Sequence, residues 1–167
     1  DTGATDVENI FELAYENKFS PYQYPVTKAY EMISCFEGLL EFYFIDQNDR
    51  HRTALINFAD RILECDFTVI GCAGCTHELF DHTARRQTDS ANMIIMQETC
   101  VTVTWMKLCF QLLCLGGKSR HADRIELSAY NALFGSVNTE GVTKNNGFPF
   151  DSYSPLTSGT RGNGIGG

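Results

Sequence analysis

The residues best suited to chemistry open the most apolar run of the sequence. Glu98 and Cys100 lie two residues apart, directly before the run from Val101 to Leu115. Side chains two residues apart on an ideal helix point roughly 200° away from each other, so these two converge only where the chain is extended or capping. A helix N-terminus presents free N–H groups and a partial positive charge, which favour carboxylate and thiolate. The pattern fits either a capping glutamate before a buried cysteine or part of a reactive site.

A second candidate group lies upstream, in the string Thr76-His77-Glu78-Leu79-Phe80-Asp81-His82. Desolvation of Glu78 in a partly dry pocket would raise its pKa and keep it protonated near neutral pH, as a general acid requires. A surface carboxylate without a catalytic role is the alternative. The imidazole of His77 or His82 would suit zinc, but Asp81 stands where an HExxH motif places its second histidine. The string therefore does not predict a metalloprotease.

The number and placement of the cysteines predict free thiols and not a disulfide framework. There are seven, an odd count, and Cys35, Cys109 and Cys114 fall in helical apolar runs. This pattern indicates buried thiols and favours an intracellular, cytoplasmic location. Cys72-x-x-Cys75 has the spacing of a zinc knuckle or a redox pair, but the sequence offers neither a second such pair nor a βαβ context. Tight packing at a turn is the predicted role of this motif.

Composition excludes several classes of partner. The chain has 167 residues, enough for one domain with a sizeable core, and a net charge of −8 with no concentration of lysine and arginine. We therefore expect no nucleic acid and no anionic membrane surface as partner. No apolar segment approaches 18 uninterrupted residues, so no transmembrane helix is predicted.

Two pairs of segments have the apolar spacing of paired helices. Val26 to Ile45 and a segment through Leu55 and Leu63 carry apolar residues at helical spacing, with a polar turn at 46–49 between them. They predict an antiparallel αα-hairpin. The same construction returns after Gln97, with the turns aligned at an offset of 70 positions. The repetition predicts an array of stacked helical hairpins.

The other segments are shorter or less regular. A first helix is predicted from Thr5 to Tyr15, and Phe67–Ile70 is predicted to be β-like. Residues 65–96 lack a long amphipathic period, and such a connection inside a compact helical domain is usually functional. A short extended segment is predicted near the C-terminus, between Phe148 and Leu156. Residues 157–167 are glycine-rich and predict a continuation, so 1–167 is expected to be a single partial domain.

Four strings of the sequence resemble glycoside hydrolase family 127, the β-L-arabinofuranosidase family: Ser34–Glu41, Thr76–His82, Met96–Lys107 and Tyr130–Leu133. The resemblance extends over essentially the whole chain but only to part of that family's catalytic domain. It implies a mainly α fold in which αα-hairpins form part of an (α/α)6 barrel. It also implies an oligosaccharide or glycan as the substrate.

The resemblance assigns roles to individual residues. Members of the family bind zinc through a glutamate and three cysteines, one of which is the nucleophile, and Glu98 and Cys100 match the Glu-x-Cys part of that site. The other two cysteines are adjacent in the family, downstream of a glycine-rich stretch like the one that ends this chain. Glu78 matches the general acid/base, and His77 and Tyr153 fall near positions that line the sugar pocket.

The resemblance implies a retaining glycoside hydrolase with a zinc-bound cysteine nucleophile, acting on β-L-arabinofuranosides. The chain is predicted to be a fragment that lacks the nucleophile and is inactive alone. One alternative is the same fold acting on another plant-polysaccharide sugar. Another is a helical scaffold or carbohydrate-binding module without turnover, which zinc content would distinguish from the enzyme.

Overall fold

The computed structural model describes residues 9–74, 78–89, 96–137, 150 and 153–155. These residues are mainly helical, with two short strands. The elements in chain order are α1 (Ile10–Glu16), a 3₁₀ turn (Pro21–Gln23), α2 (Ala29–Asp46), α3 (Asp49–Cys65), α4 (Thr83–Arg86), β1 (Met96–Glu98), α5 (Thr99–Gly116), α6 (Ser119–Leu127), a π-helical turn (Ser128–Leu133) and β2 (Tyr153–Pro155).

Two-residue turns join the helices of each hairpin. Gln47 ends α2 in the left-handed conformation, with φ of 53°, and the side-chain oxygen of Asn48 accepts a hydrogen bond from the amide of Arg50 at 3.0 Å. This cap satisfies one of the free amides at the start of α3. Gly117, with φ of 63°, and Lys118 form the corresponding turn between α5 and α6. Both predicted αα-hairpins are thus present.

The repetition at an offset of 70 is confirmed at the level of whole elements. Helices α2 and α5 each have 18 residues, and their first and last positions differ by 70. Two pairs of equivalent residues contact each other: Lys107 Nζ lies 2.7 Å from Glu37 Oε2, and Gln111 Nε2 donates to Glu41 Oε1 at 2.9 Å. Because these contacts are one helical turn apart, α2 and α5 run in parallel and their N-termini lie at the same end.

The core lies between the hairpins and is rich in aromatic rings. Phe36 from α2 stacks on Phe58 from α3, with ring centroids 3.6 Å apart, and Phe11 and Phe80 pack edge-on against this pair. Trp105 from α5 is fully buried. The apolar spacing read from the sequence therefore identifies the buried faces of the helices.

Helix α5 also has the length and composition of a membrane-spanning helix, and within the described part of the chain it is the one helix that does. It packs between α2 and α6, and its buried residues include Val101, Trp105, Leu108 and Leu112. Core helices pass the same composition test. The expectation of no membrane partner stays a prediction.

The connection between the hairpins differs from the prediction at Phe67–Ile70. Phe67 makes an isolated bridge with Ala73, and a turn closes the loop through a hydrogen bond from the amide of Gly71 to the carbonyl of Thr68 at 3.1 Å. β-Branched and aromatic residues favour strands, but here they form a turn in which Phe67 and Thr68 are buried and Val69 is exposed. The predicted extended segment near the C-terminus is present as β2, which pairs antiparallel with β1.

Two cysteines predicted to be buried are exposed. Cys35 and Cys114 lie on the solvent sides of α2 and α5, whereas Cys109 is buried. The prediction failed because an apolar run does not determine which face of a helix a residue occupies. Cys72 is buried in its turn, where its thiol donates to the carbonyl of Gly74 at 3.0 Å, in agreement with a packing role. Cys75 lies outside the described residues.

The loop after Glu78 is organised by a buried carboxylate. Asp66 Oδ1 accepts hydrogen bonds from the amides of Asp81 and Thr83, each at 3.0 Å. Burial raises the pKa of Asp66 to about 6, against the effect of its backbone hydrogen bonds. The ring of His82 stacks on Tyr22, with centroids 4.6 Å apart. These contacts give Asp81 and His82 roles in shaping the loop.

Candidate active site

The candidate site lies at the shared N-terminal end of α2 and α5. Lys28 is the N-cap of α2 and Glu98 is the N-cap of α5, both with extended backbone and neither with a side-chain capping bond. These two positions are equivalent in the 70-residue repeat. The offset therefore brings a lysine and a glutamate to the same end of two parallel helices.

Glu78 is fixed by backbone pairing with the chain that enters α2. Its carbonyl accepts a hydrogen bond from the amide of Ala29 at 2.8 Å, and the amide of Phe80 donates to the carbonyl of Thr27 at 2.8 Å. The backbone of Glu78 has φ of 68°, a conformation that costs a non-glycine residue energy and is common where function constrains the chain.

The carboxylate of Glu78 is contacted on both oxygens. The ammonium of Lys28 forms an ion pair with Oε2, and the hydroxyl of Tyr153 donates a hydrogen bond to Oε1. Both contacts join residues far apart in sequence. Tyr153, predicted to line the sugar pocket, thus contacts the predicted acid/base; its role toward a sugar stays a prediction. His77 lies outside the described residues.

Glu98 reaches the site because the chain is extended before α5 begins. It is the last residue of β1 and lies opposite Tyr153 in the antiparallel pair. Glu98 is only 5% exposed. Its Oε2 atom is buried and has no hydrogen-bond partner among the described residues. Burial raises the pKa of Glu98 to about 7, Glu78 and Glu31 add to the increase, and Lys28 opposes it.

Cys100 is the second residue of α5 and is exposed. Partial desolvation raises the pKa of its thiol, and the negative charges of Glu98 and Glu78 raise it further. Desolvation, together with the two carboxylates, therefore outweighs the expected preference of the helix N-terminus for the thiolate. Glu98 lies opposite Tyr153 in the strand pair and Tyr153 contacts Glu78, so Glu78, Glu98 and Cys100 lie in one region of the molecule.

Glu98 and Cys100 carry two kinds of donor atom that zinc sites use. A carboxylate oxygen and a cysteine sulfur are both zinc ligands, and a cation would satisfy the buried oxygen of Glu98 that has no partner. In the described part of the chain, no group of three or more histidine, cysteine, aspartate or glutamate side chains lies together. Two further ligands would have to come from elsewhere.

An apolar cavity of about 490 Å³ begins beside Cys100, within the size range of ligand sites. Aromatic and aliphatic side chains from α2, α5 and the segment after the π-helical turn form its walls, among them Tyr30, Val103, Phe134 and Phe150. Tyr30 is the repeat equivalent of Cys100.

Lys28 is not among the site residues predicted from the sequence. The offset of 70 places it at the position of Glu98, and that alignment is the one sequence signal that could have identified it. The contact with Glu78 has no local signal, because 50 residues separate the two.

A search of solved structures matched a GH127 β-arabinofuranosidase with a TM-score of 0.57 and 19% sequence identity. The match covers 77% of this chain and 22% of that chain, so these residues span about a fifth of the relative's length. At this identity the match establishes the fold alone, and it confirms the predicted class, a mainly α arrangement of hairpins from a helical barrel.

The family follows from the sequence. The model of the β-L-arabinofuranosidase GH127 catalytic domain matches residues 18–154, a range that includes Glu78, Glu98, Cys100 and Tyr153. The chain belongs to glycoside hydrolase family 127. No match was found among curated protein sequences.

Proposed function

We propose that this chain is part of the catalytic domain of a retaining glycoside hydrolase that acts on β-L-arabinofuranosides. The family supports the reaction class. The observation that carries the proposal is the placement of Glu78, Glu98 and Cys100 at one end of two parallel helices. Tyr153 contacts the carboxylate of Glu78 and lies opposite Glu98 in the strand pair, and Cys100 lies in the first turn of the helix whose N-cap is Glu98.

Glu78 is the proposed acid and base. In the first step its carboxyl donates a proton to the leaving glycosidic oxygen, while a cysteine sulfur attacks the anomeric carbon and the bond to the leaving group breaks. In the second step its carboxylate takes a proton from water as the water attacks the same carbon and the sulfur departs as thiolate. Two displacements at one carbon retain its configuration.

Glu98 and Cys100 are the proposed zinc ligands from this chain. Bound zinc would lower the proton affinity of a coordinated thiol and keep a cysteine nucleophilic at neutral pH. In this proposal the nucleophile and a further ligand are adjacent cysteines outside these residues, since the sequence contains no adjacent pair.

Zinc content tests the metal site. We expect stoichiometric zinc in the intact enzyme and its loss in Glu98→Ala and in Cys100→Ser, because each substitution removes one ligand from a site of four. Cys114→Ser is the matched control, since Cys114 is an exposed cysteine at the other end of α5. Elemental analysis of the purified proteins gives the answer. Full zinc in both ligand variants would contradict the assignment.

Activity of the isolated chain tests the proposed source of the nucleophile. We expect the 167 residues alone to release no detectable aryl alcohol from an aryl β-L-arabinofuranoside, whereas the intact enzyme hydrolyses it. The physical reason is that no covalent glycosyl intermediate forms without the attacking sulfur. Turnover by the isolated chain, measured at high protein concentration, would show that the nucleophile lies within it.

A further inference from the structure

We infer that Lys28 is a positioning residue that holds the acid/base Glu78 in its working orientation. The inference rests on the proposed function of Glu78 and adds a second residue to that site. Lys28 contacts Oε2 of the carboxylate from the α2 side, and Tyr153 contacts Oε1 from β2. The two donors together fix the plane of the carboxylate.

The backbone around Lys28 supports this role. Lys28 pairs with Leu79 in an isolated antiparallel bridge, so the chain that carries the lysine also holds the backbone of Glu78. Lys28 ends the extended segment that enters α2. The short segment that ends at Lys28 therefore contacts Glu78 in two ways. Its backbone pairs with the backbone next to Glu78, and the Lys28 side chain contacts the Glu78 carboxylate.

The acidic side chains around Lys28 stabilise its positive charge. Its ammonium is stabilised chiefly by the hydrogen bond to Glu78, with further attraction from Glu78, Glu31 and Glu98, and its pKa is raised in consequence. Its side chain is 42% exposed and that of Glu78 is 29% exposed. The ion pair between Lys18 and Glu16 has exposures of 67% and 48%, so solvent screens the Lys28 pair less.

A lysine beside Glu78 serves the second step of the reaction most directly. Its charge stabilises the carboxylate, the form that takes a proton from water. A substrate with a dinitrophenyl leaving group isolates this step, because that group departs without a proton and the first step becomes fast. Under these conditions hydrolysis of the intermediate limits kcat, whereas kcat/KM still reports the first step.

The test is steady-state kinetics of the intact enzyme with dinitrophenyl β-L-arabinofuranoside. For Lys28→Met we expect kcat to fall about 10-fold and KM to fall by the same factor, leaving kcat/KM unchanged. Lys28→Arg keeps the positive charge and is expected to restore kcat to within about 3-fold of the wild-type value. Lys18→Met, which breaks the exposed ion pair with Glu16, is expected to behave as the wild type.

Two results would overturn the inference. One is wild-type kcat and KM in Lys28→Met; the other is a lower kcat at unchanged KM, which indicates fewer correctly folded molecules and a purely structural role. Glu78→Gln, measured in parallel, separates this inference from the proposed function. If Glu78→Gln lacks the joint fall of kcat and KM, the role of Glu78 is wrong; if it has that pattern and Lys28→Met does not, only the inference fails.

Discussion

With Glu78 replaced by glutamine, the intact enzyme is expected to lose about 10²- to 10⁴-fold in kcat/KM on phenyl β-L-arabinofuranoside. Phenolate is a poor leaving group and needs the proton that Glu78 supplies. The glutamine amide oxygen can replace Oε1 and accept the hydrogen bond from Tyr153. Its NH2 group then replaces Oε2, so the ion pair with Lys28 is lost together with the proton. A comparison of two leaving groups is needed to assign the loss to proton transfer.

The leaving group provides the internal comparison for this prediction. On the dinitrophenyl substrate, kcat/KM of Glu78→Gln should stay within about 3-fold of the wild type, because departure needs no proton. Glu16→Gln, in the exposed pair with Lys18, is the matched control and should leave both substrates unaffected. An equal loss on both substrates would indicate a folding defect, and an unchanged rate on the phenyl substrate would remove Glu78 from the mechanism.

Much of the frame of the site could be predicted from the sequence. The offset of 70 anticipated two hairpins of matching length, and the parallel arrangement of α2 and α5 follows that repeat. The chain is extended directly before the helix, as the convergence of Glu98 and Cys100 requires, since Glu98 ends β1 and α5 begins at Thr99. The apolar period of a helix and the residues that begin and end it are local features, so they can be read from the sequence alone.

The contacts that complete the site could not be predicted in this way. Lys28 and Tyr153 reach Glu78 across 50 and 75 residues, and no spacing rule connects positions on different elements. The raised pKa of the Cys100 thiol has the same origin, because it depends on desolvation by neighbouring elements and on the carboxylates of Glu98 and Glu78. The prediction that Cys35 is buried was wrong for a related reason. Whether a helical residue is buried depends on where the neighbouring helices pack, and Cys35 is exposed.

One turn of the connection between the hairpins depends on a glycine. Gly71 has φ of 95°, and a Cβ built on it would lie 2.7 Å from the Cα of Ser128. The hydroxyl of Ser128 donates to the carbonyl of Gly71 at 2.7 Å, so the two backbones are held together at this distance. The next residue, Cys72, places its sulfur 3.8 Å from the carbonyl oxygen of Glu98, which links the turn to the candidate site.

Gly71→Ala is expected to lower the free energy of unfolding by about 2 to 5 kcal/mol, since it combines a positive φ with overlap against helical backbone that cannot move cheaply. Gly38→Ala is the matched substitution: Gly38 lies within α2, and a Cβ there meets nothing within 4 Å. It should raise the free energy of unfolding by up to about 1 kcal/mol, because alanine is the better helix former. Urea unfolding followed by circular dichroism measures both changes. If the two variants were equally stable, the close approach of Gly71 to Ser128 would be wrong, and with it the support that this turn gives to Glu98.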